Sequence, residues 1–277
     1  MRCAILQLNA SDDPKANLET TLEMVKDAAG QGAEFVLTPE VTNCVSMSRK
    51  HQQAVLAHED EDATLAGLRG AARAHGIWLL IGSLGLKTSD PDGRFANRSI
   101  LVGPDGGIAA RYDKIHMFDV QVTPEETFRE SDGYRPGTRA VLAETPFARI
   151  GMTVCYDMRF PLLYSALANA GAEVFTVPAA FSTVTGAAHW HSLLRTRAIE
   201  AGCFVIAPAQ TGEHASAAHK TRKTYGHSLV VSPWGEVLLD AGEEPGVYMF
   251  DLDMGQVAEA RRRVPSLANA RTFDGPE

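Results

Sequence analysis

Arg149-Ile-Gly-Met-Thr-Val-Cys-Tyr-Asp-Met-Arg-Phe-Pro161 is the stretch on which the interpretation of the fold depends. Its apolar run, Ile150 to Val154, predicts a buried strand that ends at Cys155. Pro161 suits the first position of a helix, and Gly171 predicts where that helix ends. Cys155 would then lie in a tight turn at the open end of a sheet, where the helix N-terminus favours thiolate over thiol. That position suits a nucleophile, although a buried cysteine that only packs fits these residues equally well.

The composition is that of an ordinary globular protein. Hydrophobic residues make up 45% of the 277 residues and charged residues 22%, which allows a sizeable core. The formal charge of −8 argues against nucleic-acid binding. No apolar run approaches the roughly 18 residues that a membrane span needs. Because the chain opens with a predicted strand, Met-Arg-Cys-Ala-Ile-Leu-Gln-Leu, we expect no signal peptide.

The four cysteines, Cys3, Cys44, Cys155 and Cys203, are widely scattered. Their spacing matches neither a zinc site nor a dense disulfide framework, so we expect a reducing, cytoplasmic environment. Cys3 and Cys203 lie in apolar runs and are expected to be packing residues. Cys44 lies in a predicted loop, and its role stays open.

Predicted strands and helices alternate along the chain, which indicates one α/β domain over residues 1–277 without a linker or repeat. Helices are predicted at 17–29, 59–75, 161–170, 189–202 and 254–263, and strands at 3–9, 34–40, 77–84, 95–102, 108–112, 150–154, 173–178, 203–208, 227–232, 237–240 and 246–252. Residues 120–138 and 211–226 are predicted to be irregular, the second segment as a polar surface loop.

Two reactive side chains follow predicted strands in the same way as Cys155. Glu40 comes just after the short strand that Pro39 ends, and Lys114 follows the second strand of a hairpin. Taken alone, Glu40 is better explained as a solvated loop carboxylate and Lys114 as a surface lysine. The carboxyl ends of strands in a layered α/β domain gather at one rim, however, which predicts that the three side chains meet there.

A thiol, a carboxylate and an ammonium together indicate acyl transfer through a thioester. The carboxylate of Glu40 can act as general base if desolvation raises its pKa. The ammonium of Lys114 can stabilise the oxyanion of a tetrahedral intermediate, helped by the backbone N–H of Tyr156 after the nucleophile Cys155.

Three motifs, in this order, resemble the nitrilase superfamily of carbon–nitrogen hydrolases over nearly the whole chain. They are Leu37-Thr-Pro-Glu40, Tyr112-Asp-Lys-Ile-His-Met-Phe-Asp119 and Gly151-Met-Thr-Val-Cys-Tyr-Asp-Met-Arg-Phe-Pro161. The resemblance implies an αββα sandwich, which dimerises into an αββα–αββα assembly through the helices that flank the sheets. It also implies that Glu40 is the general base, Lys114 the oxyanion stabiliser and Cys155 the nucleophile. A second family glutamate, which positions the lysine and the substrate amine, matches Glu130; the neighbouring Glu125 and Glu126 match less well.

Further stretches resemble the branch of the superfamily that hydrolyses deaminated glutathione. They are His116-Met-Phe-Asp119, Phe128-Arg-Glu-Ser131, Ala180-Phe-Ser-Thr-Val-Thr-Gly186, His189-Trp190, Arg195-Thr-Arg-Ala-Ile-Glu200, Tyr225-Gly-His-Ser228 and Pro233-Trp-Gly235. The ω-amidases, which act on α-ketoglutaramate, share much of this pattern and are the close alternative, with nitrilases and carbamoylases behind them. After Val264-Pro265 the chain departs from the first branch, which leaves the dimer contacts of the tail open.

The resemblance implies an amidase that hydrolyses the primary amide of a small carboxylate-bearing substrate, with release of ammonia and without a metal or organic cofactor. We expect a small-molecule amide as partner, neither nucleic acid nor membrane, and a homodimer or higher homo-oligomer. Arg159 is a candidate for binding the substrate carboxylate, although an ion pair with Asp157 explains it equally well. Phe181 and Thr183 are expected to line the pocket, because they follow the next strand.

A metal site, a binding protein without activity and a papain-like enzyme are the alternatives to this amidase. The histidine pairs His189 with His191 and His214 with His219 lack the spacing of a metal site with a third ligand. A binding protein without catalytic activity would not need Glu40, Lys114 and Cys155 all intact. A papain-like enzyme would need a histidine such as His227 as its base, and we rank it far behind.

Overall fold

The two large β-sheets of the computed structural model pack face to face, and helices cover the outer face of each sheet. The structure describes residues 1–124, 126–217 and 221–276. This architecture is the αββα sandwich that the family resemblance implied, and that prediction is confirmed. Among the described residues, no helix combines the length and the apolar character that crossing a membrane requires.

Seven helices and sixteen strands make up the described parts of the chain. The helices are α1 (Pro14–Gly30), α2 (Arg49–Val55), α3 (Ala63–His75), α4 (Pro161–Asn169), α5 (Thr183–Ala201), α6 (Gly255–Arg263) and α7 (Ser266–Asn269). The strands are β1 (Arg2–Gln7), β2 (Phe35–Leu37), β3 (Trp78–Leu86), β4 (Ala96–Val102), β5 (Ile108–Asp113), β6 (Asp119–Gln121), β7 (Thr127–Arg129), β8 (Val141–Glu144), β9 (Arg149–Met152), β10 (Val174–Thr176), β11 (Phe204–Ala207), β12 (Thr211–His214), β13 (Arg222–Tyr225), β14 (Leu229–Val231), β15 (Val237–Asp240) and β16 (Gly246–Asp251).

Both large sheets have three parallel strands at the centre and antiparallel strands at the edges. The first sheet has the order β16-β1-β2-β3-β4-β5, with β1, β2 and β3 parallel. The second has the order β15-β14-β11-β10-β9-β8, with β9, β10 and β11 parallel. Parallel strands in one sheet end at the same edge, so each sheet presents one rim of strand ends to which loops can bring functional side chains.

Successive side chains along a strand point to opposite faces of the sheet, which divides the core into layers. Cys3 and Ile5 of β1 pack with residues of the second sheet, whereas Ala4 and Leu6 pack beneath α1 and α3. Burial of each large apolar side chain contributes about 1.5–3 kcal/mol to the free energy of folding. The two apolar layers therefore fix the positions of the strand ends relative to one another. The rigid frame allows the loops at the rim to carry strained or polar residues.

The helix boundaries follow capping residues more closely than apolar periodicity. In α1, the Asp13 carboxylate accepts from the backbone N–H of Lys15 at 2.9 Å, so the helix begins before the predicted residue 17. In α3, the Asp62 carboxylate accepts from Leu65 at 2.7 Å and sets a start later than the predicted residue 59. Gly76, with φ of +64°, ends α3 in the left-handed conformation.

The segments that were predicted to be irregular contain two small hairpins. Strands β6 and β7 pair within residues 120–138, and a 3₁₀ turn over Glu130–Asp132 follows them. Strands β12 and β13 pair within residues 211–226, so the prediction of a surface loop there is wrong. Polar residues and turns obscured these strands, since such short strands have no clear apolar period.

Helix α5 begins at Thr183, six residues before the predicted start. Its first turns carry the β-branched Thr183-Val-Thr185 and then Gly186, which have low helix propensity and hid the helix from its sequence pattern. The glycine has a packing reason: a Cβ at Gly186 would come within 2.3 Å of the Tyr225 ring. The helix therefore packs closely against β13, and the two elements together shape one side of the rim.

Candidate active site

A buried network of two carboxylates and one ammonium lies at the rim. The Lys114 ammonium donates to Glu40 Oε1 at 2.8 Å and to both oxygens of Glu130, at 2.9 and 2.8 Å. The side chains of Lys114, Glu40 and Glu130 are 2%, 5% and 14% exposed, so water screens these charges little. The Asn97 amide donates to Glu40 at 2.9 Å and to Glu130 at 3.2 Å, which ties the two carboxylates together from a second side.

Glu40 is also held by groups from the second sheet. Its Oε2 accepts from the backbone N–H of Ala180, in the loop after β10, at 2.7 Å. The Gln210 side chain donates to the backbone carbonyl of Glu40 at 3.1 Å. Glu130 is fixed in the same manner, because its Oε2 accepts from the backbone N–H of Phe118 at 2.6 Å. Both carboxylates are therefore oriented before any substrate is present.

Cys155 stands at the start of a short 3₁₀ turn (Cys155–Arg159) that precedes α4. It has a φ of +49°, a left-handed conformation that costs a non-glycine residue about 1–3 kcal/mol and is concentrated at functional sites. The predicted tight turn between strand and helix is thus present, with the 3₁₀ turn inserted before Pro161. The Cys155 N–H donates to the carbonyl of Pro178 at 2.9 Å, which joins the turn to the end of β10.

Asp157 is a structural residue of this turn that the sequence did not identify. Its buried carboxylate accepts from the Tyr112 hydroxyl at 2.6 Å, from the backbone N–H of Val154 at 2.9 Å and from the backbone N–H of His116 at 3.0 Å. The His116 ring also contacts it at 2.7 Å. These partners come from the Cys155 turn and from the segment around Lys114, so Asp157 fixes the position of one relative to the other.

The electrostatics of the site differ from the prediction for the thiol. Burial, together with the negative charge of Glu40, raises the pKa of the Cys155 thiol well above its ordinary value, although Lys114 acts in the opposite direction. The resting group is therefore a thiol, and the prediction that the helix N-terminus favours thiolate is wrong. An apolar, carboxylate-lined position outweighs the modest effect of a few peptide dipoles.

The base candidate Glu40 does not meet the condition of a pKa raised by desolvation. Burial alone would raise the pKa of Glu40, but the charge and hydrogen bond of Lys114, with the charge of Arg222, hold it below its usual value. For Lys114, burial would lower the pKa, and the charges of Glu130 and Glu40 raise it well above its usual value. At neutral pH the site therefore contains an ionised Glu40, a protonated Lys114 and a neutral Cys155 thiol in contact with Glu40.

This protonation state predicts that no thiolate is present near neutral pH. Burial also raises the pKa values of Cys3 and Cys44 to about 12 and of Cys203 to about 11, so the other thiols should not contribute. In a titration followed by thiolate absorbance near about 240 nm, we expect no step below pH 8. A step in that range that disappears in Cys155→Ala would contradict the assignment of a resting thiol.

The four side chains open into a cavity of about 290 Å³. Glu40, Lys114, Glu130 and Cys155 line its floor together with Asn97, and Phe181 lines its wall, as expected for a residue that follows β10. The other described lining residues come from the segment after Glu40 with α2, from the region around β6 and β7, from the loop between β10 and α5, and from β13: Val41, Cys44, Val45, Ser46, Met47, Arg49, Gln52, Phe118, Thr127, Phe128, Arg129, Asp132, Gly133, Tyr134, Ala180, Ser182 and Arg222.

Two predicted substrate-binding residues are not among the described residues that line this cavity. Thr183 is exposed as the first residue of α5. Arg159 donates to His189 at 3.2 Å, and its guanidinium lies 5.5 Å from the centre of the Phe181 ring. The contacts of Arg159 place it behind Phe181, and the alternative ion pair with Asp157 is absent from the described contacts, because that carboxylate is occupied by other donors.

One group of described residues could hold a metal ion, and it does not line the cavity. It consists of His191, His227 and Asp240, where the carboxylate already contacts both rings, at 2.8 and 2.9 Å. His214 is buried against Ala10 and Thr224, and burial lowers its pKa to about 4. His219, the other member of that predicted pair, and the weaker acid candidate Glu125 lie outside the described residues. Since His227 contacts Asp240 away from Cys155, nothing in these contacts favours a papain-like pair.

A thiol beside a carboxylate and an ammonium, at the rim of an αββα sandwich, is the arrangement of a hydrolase of carbon–nitrogen bonds. The chain belongs to the carbon–nitrogen hydrolase family, whose model matches residues 2–262. A deaminated glutathione amidase of Yersinia enterocolitica is 36% identical over 97% of this chain and 92% of its own length. The predicted membership of the nitrilase superfamily is therefore confirmed.

Solved structures share the fold. The NitFhit protein of C. elegans superposes with a TM-score of 0.89 at 33% identity; the match covers 98% of this chain and 65% of that longer chain. An amidase variant from Nesterenkonia sp. AN1, in which acrylamide has added to the active-site cysteine, gives a TM-score of 0.76 at 28% identity, covering 96% of this chain and 98% of that one. In that relative, the active-site cysteine thus acts as a nucleophile, here toward the carbon–carbon double bond of acrylamide.

Proposed function

We propose that this chain is an amidase that uses Cys155 as nucleophile, Glu40 as general base and acid, Lys114 as oxyanion stabiliser and Glu130 to position Lys114, and that its substrate is deaminated glutathione. The observation that carries the proposal is the buried network in which Lys114 bridges Glu40 and Glu130 beside the Cys155 thiol. Membership of the carbon–nitrogen hydrolase family and the names of several relatives support the reaction and the substrate.

In the first half of the reaction, Cys155 Sγ attacks the amide carbonyl carbon while Glu40 takes the thiol proton. The carbonyl oxygen gains the negative charge, which the Lys114 ammonium and the backbone N–H of Tyr156 stabilise. Glu40 then gives its proton to the amide nitrogen, the C–N bond breaks, and a thioester on Cys155 remains. Because the pKa of Glu40 is lowered and that of the Cys155 thiol is raised, transfer of the thiol proton to Glu40 is unfavourable before the sulfur attacks. We therefore expect proton transfer and attack on the carbonyl carbon to occur in the same step.

In the second half, Glu40 takes a proton from water as the water attacks the thioester carbon. The same donors hold the second oxyanion, the C–S bond breaks, and the departing sulfur recovers its proton from Glu40. Glu130 keeps the Lys114 ammonium directed at the reacting oxygen, because its two oxygens accept from that ammonium at 2.8 and 2.9 Å. No residue changes its net protonation over the complete cycle.

The leaving group depends on which amide is the substrate. Deaminated glutathione carries a secondary amide, so its leaving group is the amine of cysteinylglycine, and the expectation of a primary amide with release of ammonia does not fit this substrate. Ammonia leaves only from a primary amide such as α-ketoglutaramate, the substrate of the ω-amidase alternative. Both reactions release the same acid, 2-oxoglutarate, so one coupled assay for that acid measures both substrates on the same scale.

A comparison of substrates tests the proposal. We expect kcat/KM for deaminated glutathione to exceed those for α-ketoglutaramate, an N-carbamoyl amino acid and a nitrile by at least about 100-fold, close to 3 kcal/mol of transition-state discrimination. A preference of that size for α-ketoglutaramate would assign the ω-amidase activity instead. Turnover of none of these compounds would favour a binding protein without catalytic activity.

We propose further that residues 1–277 form one domain and that the protein works without a cofactor in the cytoplasm as a homodimer or higher homo-oligomer. The two sheets share a continuous apolar core, which supports a single domain. Leu162 of α4 and Ile199 of α5 are 84% and 52% exposed, although apolar, on the helices that cover the second sheet. Exposed apolar side chains on such helices are consistent with an interface that joins two sandwiches.

A further inference from the structure

Arg222, the first residue of β13, is a cationic side chain on the cavity wall that the proposed mechanism does not use. One terminal nitrogen of its guanidinium donates to the carbonyl of Ala180 at 2.5 Å. Its Nε is buried and, among the described residues, has no hydrogen-bond partner. A buried donor without a partner is unfavourable, and such a group at a cavity indicates a place for a ligand acceptor.

The position of Arg222 relative to the network is fixed through one peptide segment. The N–H of Ala180 donates to Glu40 Oε2, and the carbonyl of the same residue accepts from Arg222. The Phe128 ring lies 5.8 Å from the guanidinium and supports it from the side of β7. The positive charge is close enough to Glu40 to contribute to the lowering of that pKa.

The charges of the site require a further cation if the substrate is an anion. Glu40 and Glu130 carry two negative charges against the single positive charge of Lys114; Glu40 and Lys114 are buried and Glu130 is partly buried. An anionic substrate would meet this excess negative charge at close range, where low dielectric strengthens repulsion. Arg222 brings the balance to zero and leaves a planar donor group for a carboxylate.

The other arginines on the wall are less suited to this role. Arg49 donates to the carbonyls of Gly133 and Gly93, both at 2.6 Å, and its guanidinium lies over Phe95. Arg129 is exposed at the end of β7. Arg222 is therefore the arginine that combines a cavity position with an unused buried donor.

We propose that Arg222 binds a carboxylate of the substrate through its free guanidinium N–H groups and so selects anionic amides over neutral ones. This inference rests on the proposed amidase function and adds a specificity-determining residue to it. The hairpin β12–β13 then has a function in positioning this residue, which explains why a short polar hairpin reaches the cavity.

The test compares two substrates in two variants. The substrates are glutaric acid monoamide and its methyl ester, which share the reacting amide and differ at the remote group, a carboxylate in the first and an uncharged ester in the second. In Arg222→Gln we expect kcat/KM for the acid to fall about 100-fold, and that for the ester to change less than about threefold, since a hydrogen bond to a charged group contributes most to the acid. The matched control is Lys223→Gln, which loses the same charge from an adjacent exposed residue paired with Glu213, and both substrates should keep their rates.

An equal loss for both substrates in Arg222→Gln would mean that Arg222 acts only through Glu40 or the fold, and would overturn the inference, as would an unchanged preference for the acid. Arg222→Lys should recover only part of the preference, because the charge is restored without the planar donor pair. Binding of glutarate to Cys155→Ala, with and without Arg222→Gln, separates this inference from the proposed function. If the wild-type protein cleaves no amide but glutarate binding still depends on Arg222, the amidase function is rejected and the carboxylate site is supported.

Discussion

Replacement of Cys155 by alanine should lower kcat for amide hydrolysis by more than about 10⁴-fold, because Cys155 is the thiol beside Glu40 and Lys114, whereas the other cavity thiol, Cys44, donates to the Asp12 carbonyl. The fold should be retained. Cys155 is 6% exposed, and the change removes a single sulfur atom without introducing a buried polar group, so the free energy of unfolding should change by about 1 kcal/mol or less. The measurements are initial rates with the preferred amide and a urea unfolding curve.

A second cysteine provides the control for this prediction. Cys203 is also fully buried, but it lies before β11 in contact with Ala172 and Arg261, and not on the cavity wall. Cys203→Ala should keep the rate within a few-fold. Mass spectrometry of wild-type protein quenched during turnover should detect an acyl adduct on Cys155 that Cys155→Ala lacks. Residual hydrolysis by Cys155→Ala above about 1% of the wild-type rate would remove the basis of the nucleophile assignment.

The sequence allowed the general layout of the site to be predicted, since strand ends are visible as apolar runs that stop. Glu40, Lys114 and Cys155 each follow such a run. Glu40 and Cys155 come after β2 and β9, which have parallel neighbours. Strand β5, before Lys114, runs in the same direction as β3 because β4 between them is antiparallel to both. The resemblance to the nitrilase superfamily added Glu130, which lies in a short turn after β7 where no periodic pattern marks it. The αββα architecture likewise came from the family motifs rather than from composition.

Features that depend on pairwise contacts between distant residues could not be predicted. The left-handed conformation of Cys155 and the bonds of Asp157 to Tyr112 and His116 result from packing across the two sheets. Arg222 was placed in a surface loop because its neighbours are polar, whereas pairing with β12 carries it to the cavity wall. From the sequence, Arg159 is a candidate either for a substrate carboxylate or for a structural ion pair, and its contacts with His189 and the Phe181 ring are ones that the sequence does not give.

The direction of the pKa shifts also needed the three-dimensional arrangement. From the sequence, a pKa raised by desolvation is a condition for Glu40 to act as base, and a helix N-terminus predicts a lowered pKa for Cys155. Both expectations considered one neighbour at a time. In the structure, Lys114 outweighs burial at Glu40, and burial with the charge of Glu40 outweighs Lys114 at Cys155. The sign follows from the sum of several opposing contributions, which sequence position alone does not give.

Replacement of Lys114 by methionine should reduce both activity and stability. Loss of an oxyanion donor costs about 10²–10³ in kcat, and loss of the contacts that orient Glu40 should add to this. The variant also leaves Glu40 and Glu130 facing each other without the cation that both contact. Removing one partner of a buried ionic group destabilises by about 3–5 kcal/mol, so we expect a clear fall in the urea midpoint at neutral pH.

The stability loss in Lys114→Met should depend on pH in a defined direction. In the wild type, the folded-state pKa of Glu40 is lowered, so its ionisation contributes stability above the unfolded pKa and that contribution is lost as pH falls through the folded pKa. Without Lys114, burial and the charge of Glu130 raise the folded-state pKa of Glu40, and its ionisation instead destabilises the fold as pH rises. The difference between variant and wild type should therefore be largest near about pH 7–8 and shrink as pH falls toward about 4–5, where the carboxyl groups take up protons.

A double variant distinguishes like-charge repulsion from loss of the packed lysine stem. Lys114→Met with Glu130→Gln removes one of the two opposed carboxylates and should recover more than about 1 kcal/mol of the lost stability near neutral pH, while activity stays low because the oxyanion donor is still missing. The Glu130→Gln single variant completes the cycle and reports the coupling between the two residues. If Lys114→Met is destabilised equally at acid and neutral pH and is not rescued by Glu130→Gln, the charge explanation is contradicted. The fold would then require the packing of the aliphatic stem of Lys114 and not the ammonium between two carboxylates.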